Sequence, residues 1–126
     1  MSFSNTFETT TLKWVFTTDS VTRPTAWHVG LFTTDPTDAD SGTEVSGTSY
    51  AREAVTFSVT DDTASNTAAV EFTAAGSNWG TVSHIGIYDA STGGNLIAHA
   101  ALTASKAIDT GDVFRIPTGD LDVTLA

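Results

Sequence analysis

From Trp79 onward the chain alternates apolar and polar residues in short runs separated by glycine-bearing turns. That period of two is the signature of antiparallel strands with one covered face. In residues 82–88, Ile85 and Ile87 fall opposite His84, Gly86 and Tyr88. The turn Ser91-Thr92-Gly93-Gly94-Asn95 then leads to a second run at 96–102, the pattern of a hairpin. A further turn at 109–112, with Gly111, precedes residues 113–116. In the last run Leu121, Val123 and Leu125 alternate with Asp120, Asp122 and Thr124, which predicts one buried and one wet face.

The first half carries the same signals. Residues 27–32 read as a strand, with Trp27, Val29 and Leu31 on one face and His28 and Phe32 on the other. Residues 54–59, with Val55, Phe57 and Val59 aligned, and 68–73, with Ala68, Val70 and Phe72 inward, predict two more strands. Between the strand at 27–32 and that at 54–59, residues 33–49 form a long acidic loop, which should be functional or held down by its own side chains. Only the N-terminus invites a helix, over about 6–16. Ser4 or Asn5 is placed to cap it, and Glu8 lies three residues after Asn5 as in a capping box. The β-branched run Thr9-Thr10-Thr11 opposes it. The expectation is a mainly β protein: an antiparallel β-sandwich or barrel of about seven strands with one short N-terminal helix. Residues 1–126 form a single domain, with 1–18 as a helical interface segment. Trp14, Trp27 and Trp79 belong to the core or to a subunit contact.

Composition narrows the function. The 126 residues suit one core, and zero cysteines rule out disulfides and thiolate metal sites. Five basic residues against 15 acidic ones give a net charge of -10. Binding nucleic acid by phosphate neutralisation is therefore disfavoured, as is an anionic membrane surface. The acidity keeps the chain soluble, or it meets a basic or metal-bridged partner. The opening Met1-Ser2-Phe3-Ser4-Asn5 lacks a signal-peptide pattern, and no apolar run approaches the roughly 18 residues of a membrane span. The protein is expected to stay in the cell that makes it or to leave by lysis.

Little in the chain promises catalysis. Neither Gly-x-Ser-x-Gly nor a phosphate-cradling glycine loop is present. His28, His84 and His99 lie in predicted strands without metal-ligand spacing; a three-histidine zinc site would need them to converge in space. Asp35, Asp38, Asp40 and Glu44 are hard oxygen donors and weak candidates for a cation, but they depart from the EF-hand spacing. No enzyme activity and no cofactor are expected.

The order Trp27-His28-Val29-Gly30-Leu31-Phe32-Thr33-Thr34-Asp35-Pro36, Ser49-Tyr50-Ala51-Arg52, Trp79-Gly80-Thr81-Val82-Ser83-His84-Ile85-Gly86-Ile87-Tyr88 and Gly119-Asp120-Leu121-Asp122-Val123 spans nearly the whole chain. It resembles a family of small tailed-phage virion proteins, labelled tail fibre proteins and sometimes treated as head decoration proteins. The resemblance implies a virion protein assembled in the bacterial host cytoplasm. Its partners would be the major capsid protein or tail proteins, and it would assemble as a homotrimer.

The leading expectation is a capsid decoration (cement) protein that clamps neighbouring shell subunits through many modest contacts. The alternatives are a tail fibre or adhesion component, and a free glycan-binding β-sandwich. Phe3, Phe7 and Trp14 are the interface residues of the N-terminal segment, and Tyr50 is the aromatic beside the acidic loop suited to receptor contact.

Overall fold

The computed structural model describes residues 1–125. A two-residue strand β1 (Ser2–Phe3) leads into the helix α1 (Asn5–Phe16). There follow β2 (His28–Phe32), β3 (Glu53–Ala54), β4 (Phe57–Thr60), β5 (Thr63–Asn66) and β6 (Val70–Thr73). The chain ends with β7 (Gly80–Tyr88), β8 (Leu96–Ile108), β9 (Val113–Ile116) and β10 (Asp122–Thr124). All the strand pairs are antiparallel. They make three open sheets, with strand orders β1-β8-β7-β2-β3, β10-β5-β4 and β6-β9. The mainly β character and the single N-terminal helix match expectation. No helix among the described residues is long and apolar enough to cross a membrane.

The five-stranded sheet is covered on both sides. Its register puts Val29 opposite Ile87 and Leu31 opposite Ile85, all buried on one face. There they join Val70 and Phe72 of β6, Phe114 and Ile116 of β9, and Leu121 in one apolar cluster. The opposite face carries Phe32, Tyr88 and Leu96 as a second, smaller cluster. The Phe32 and Tyr88 rings stack at 6.2 Å. The segment 33–49 folds over this second face, pinned by Val45 N–H to Leu31 O and Thr33 N–H to Thr43 O. Its length is thus explained by packing: it is the lid of a half-core.

Several local expectations are corrected. Residues 54–59 are not one strand. Val55 N–H still donates to Trp27 O, beside β2, whereas Phe57 onward pairs with β5, so the chain changes sheets between them. Val59 consequently faces solvent at 73 % exposure. Ala68 is exposed, and Leu125 is 58 % exposed. The strand β5 (Thr63–Asn66) escaped the sequence reading because Thr-Ala-Ser-Asn has no apolar alternation; its partners β4 and β10 hold it by backbone pairing. At the helix start, Ser4 is the cap: its Oγ accepts from Phe7 N–H at 3.2 Å and donates to Leu96 O. This cap places Phe7, not Glu8, at the third helical position, so no capping box forms.

Asn66 joins the corner between β5 and the last two strands. It is 2 % exposed. Its amide donates to Ala68 O and Pro117 O, and its Oδ1 accepts from Gly119 and Leu121 N–H at 3.0 Å each. Asn66→Ala leaves Leu121 N–H and Ala68 O without their side-chain partner, whereas Gly119 N–H keeps Asn66 O and Pro117 O keeps Asp120 N–H. The expected loss is about 2–3 kcal/mol, to be read from urea unfolding midpoints. A loss below about 0.5 kcal/mol would mean that the corner is held by something else.

Candidate functional site

Two of the four acidic-loop residues, Glu44 and Asp40, and both Tyr50 and Tyr88 are drawn into one polar network on the second face of the main sheet. At its centre Glu44 accepts from Arg52 Nε and Nη2 at 2.9 Å each, a two-pronged ion pair, and from the Tyr50 hydroxyl at 2.6 Å. The same hydroxyl accepts from Leu31 N–H at 2.9 Å, tying the loop to the backbone of β2. The Arg52 Nη1 donates to Ala90 O at 3.1 Å and to Gly93 O at 2.8 Å, which secures the β7–β8 turn. The guanidinium carbon lies 3.6 Å from the Tyr88 ring centroid, a cation–π contact. Its side chain is only 9 % exposed, so its charge is held by Glu44 rather than by water. Gly30 permits this approach: a Cβ there would sit 2.8 Å from Glu44 Oε2. Burial, then the hydrogen bond to Glu44, pushes the Tyr50 phenol well above its ordinary range. Burial, then Asp40, does the same to Tyr88, whose hydroxyl donates to Asp40 Oδ1 at 2.5 Å.

The remaining loop carboxylates face the histidines. His99 Nε2 lies 2.7 Å from Asp38 Oδ1, and its Nδ1 lies 3.6 Å from Asp35 Oδ1. His84 Nε2 is 3.9 Å from Asp35, while its Nδ1 bonds the Ser83 hydroxyl at 2.8 Å. Asp38 also accepts from Ser2 Oγ at 3.0 Å, and its carbonyl accepts from Asn5 N–H. The hydrogen bond to His99, then that to Ser2, holds the Asp38 carboxyl below the usual carboxylate range. His28 stands apart on β2, paired with Ala54 and Tyr88 in the sheet. Glu44 and Asp40 thus face Arg52 and the two tyrosines, while Asp35 and Asp38 both border His99. Among the described residues no three His, Asp or Glu side chains are grouped to hold a metal ion.

The N-terminal segment makes the apolar surface. Phe3 and Phe7 are half-buried against the main core, and Trp14 is 71 % exposed. A shallow groove of about 430 Å³ runs between α1 and residues 21–24, lined by Phe7, Thr10, Thr11, Trp14, Arg23 and Pro24. Arg23 also borders a second, mostly apolar groove of about 350 Å³, where Phe3, Trp27, Phe57, Val59 and Val123 meet. Of the tryptophans, Trp79 is buried at 5 %, Trp27 is half-buried, and Trp14 belongs to the surface.

Of the residues singled out in the sequence, Phe3, Phe7 and Trp14 thus share one side of the molecule. Tyr50 lies inside the Glu44 network, its ring edge-on to Trp79 at 5.3 Å. Arg52 is the functional residue that pattern reading missed. The available signal was scarcity: in a chain with five cations, one lying close to Glu44 and Tyr50 in sequence is a strong ion-pair candidate.

Two outcomes follow from this geometry. Glu44→Ala leaves Arg52 buried and unpaired and should cost about 3 kcal/mol, near the low end for a broken buried pair because Glu44 keeps partial exposure; Glu44→Gln should cost less, in the same denaturation assay. Asp38, whose pKa is depressed on folding, stabilises the protein above its unfolded value, and that contribution is lost as pH falls through the lower folded value. Asp38→Asn should therefore flatten the acid limb of the stability profile below about pH 4. An unchanged acid limb would show that other carboxylates govern it.

No curated protein matches the chain. The family described as podophage GP4 fiber I protein gp80 matches residues 2–124. A structural rather than enzymatic virion role accords with that match. Covering nearly the whole sequence, it establishes that this chain belongs to the gp80 fibre family of phage virion structural proteins.

Proposed function

We propose that the chain is a subunit of the fibre apparatus at the tail of a podophage virion, assembled as a homotrimer in the host cytoplasm. The observation that carries this reading is the family match over residues 2–124. It favours the tail over the capsid-decoration role that led the sequence reading. The fold of the described residues, non-repeating antiparallel sheets, is consistent with a docking or connecting domain. The acidic body is suited to a basic face on a neighbouring tail protein, with rim charges steering association more than setting affinity.

Capsid decoration is the second reading, supported by the compact, non-repeating fold, which would suit a clamp between shell subunits. Immunogold electron microscopy of intact virions with antibody against this chain separates the two. Gold at the tail is expected. Gold spread evenly over the head would replace the fibre placement with decoration.

A further inference from the structure

We propose that the outward face of α1 is the contact between copies of this chain, with helix packed on helix about their symmetry axis. This rests on the reading that copies assemble together, and it names the surface that joins them. Leu12, Val15 and Phe16 follow the spacing of one helical face and are 58, 55 and 77 % exposed. No residue of α1 is buried. A 12-residue helix is marginal alone in water, and Thr9, Thr10 and Thr11 weaken this one further. It is fastened at its N-terminal end, by the Ser4 cap and by Asn5 N–H to Asp38 O. The apolar last turn has no comparable tie to the core. Of the other exposed apolar side chains, Val59 borders the groove around Phe57 and Val123, and Val113 lies on β9; Leu12, Val15 and Phe16 cluster on one helix face.

Charge selects the occupant. Residues 1–24 contain Glu8 and Asp19 against Lys13 and Arg23, a sum of zero, so the whole net charge of -10 lies in residues 25–126. A basic partner would be drawn to the acidic body. Two copies of that body repel each other, and they can approach closely only where the charge vanishes. The neutral, apolar helix is that place. Equivalent residues of α1 then face each other around the axis.

The test uses the full chain in light scattering coupled to size exclusion, over a wide concentration range. Wild type should run as a whole multiple of 13.1 kDa. The double variant Leu12→Asp, Phe16→Asp should run as the monomer, with at least tenfold weaker association and unchanged circular dichroism from the β body, while Val59→Asp should keep the wild-type mass. Because the chain has no cysteine, Phe16→Cys adds a single thiol, and mild oxidation should link copies through it where Val59→Cys does not. That cross-link decides the matter if the double variant fails to fold; its absence then overturns the proposal. A wild type that is monomeric throughout would overturn both this contact and the homotrimer reading. An oligomer that survives the folded double variant would overturn the helix contact alone. A monomer that binds virions through α1 would assign the helix to another protein and overturn it equally.

Discussion

The Glu44 carboxylate is the point on which the second half of the core depends. Glu44, Tyr50 and Arg52 are close in sequence, but through them distant segments are joined: Tyr50 reaches β2, Arg52 reaches the β7–β8 turn, and Glu44 brings its own loop. Without the paired guanidinium, a largely apolar sheet face would be left under a loop of threonines and aspartates. With it, the loop becomes a cover for Phe32, Tyr88 and Leu96. A charge pair of this kind adds less net stability than an apolar equivalent of the same volume would. What it supplies is registration, because a planar guanidinium bound on both edges and stacked on a ring admits only one arrangement.

The consequence is a division of the molecule. The body is locked from both sides of its main sheet, and its acids near that sheet are consumed in internal pairs. The N-terminal segment is appended to this body through a two-residue strand, one serine cap and a bond to the Asp38 carbonyl. It carries exposed apolar side chains and no net charge, whereas the body carries the charge and few exposed aromatics. Such separation of apolar contact from electrostatic surface would suit the assembly proposed above, in which copies join through the helix and the acidic body meets another protein.

The pairing of His99 with Asp38 illustrates how chemistry suggested by residue types can dissolve in three dimensions. Four acids in ten residues with histidines in neighbouring strands read as potential ligands. The fold disperses the carboxylates: Glu44 takes Arg52 and Tyr50, Asp40 takes Tyr88, Asp38 takes His99, and Asp35 accepts from Thr37 N–H beside His84 and His99. The acids serve to fasten the loop and the N-terminal strand.

Strand periodicity from Trp79 onward, the helix at the N-terminus and the split of β2 into two differently lined faces were all legible in the residues, because each depends on local spacing. So was the family, because it is written in the order of short motifs along the chain. The pairing of β5 was not legible, since a strand held by backbone bonds to two neighbours needs no apolar alternation of its own. Nor was the break between Val55 and Phe57, where two sheets compete for one apolar run, or the inward turn of Tyr50. These were decided by tertiary structure. Which sheet a segment joins, and whether a charge finds a buried partner, depends on residues tens of positions away, and their approach is set only when the whole chain packs.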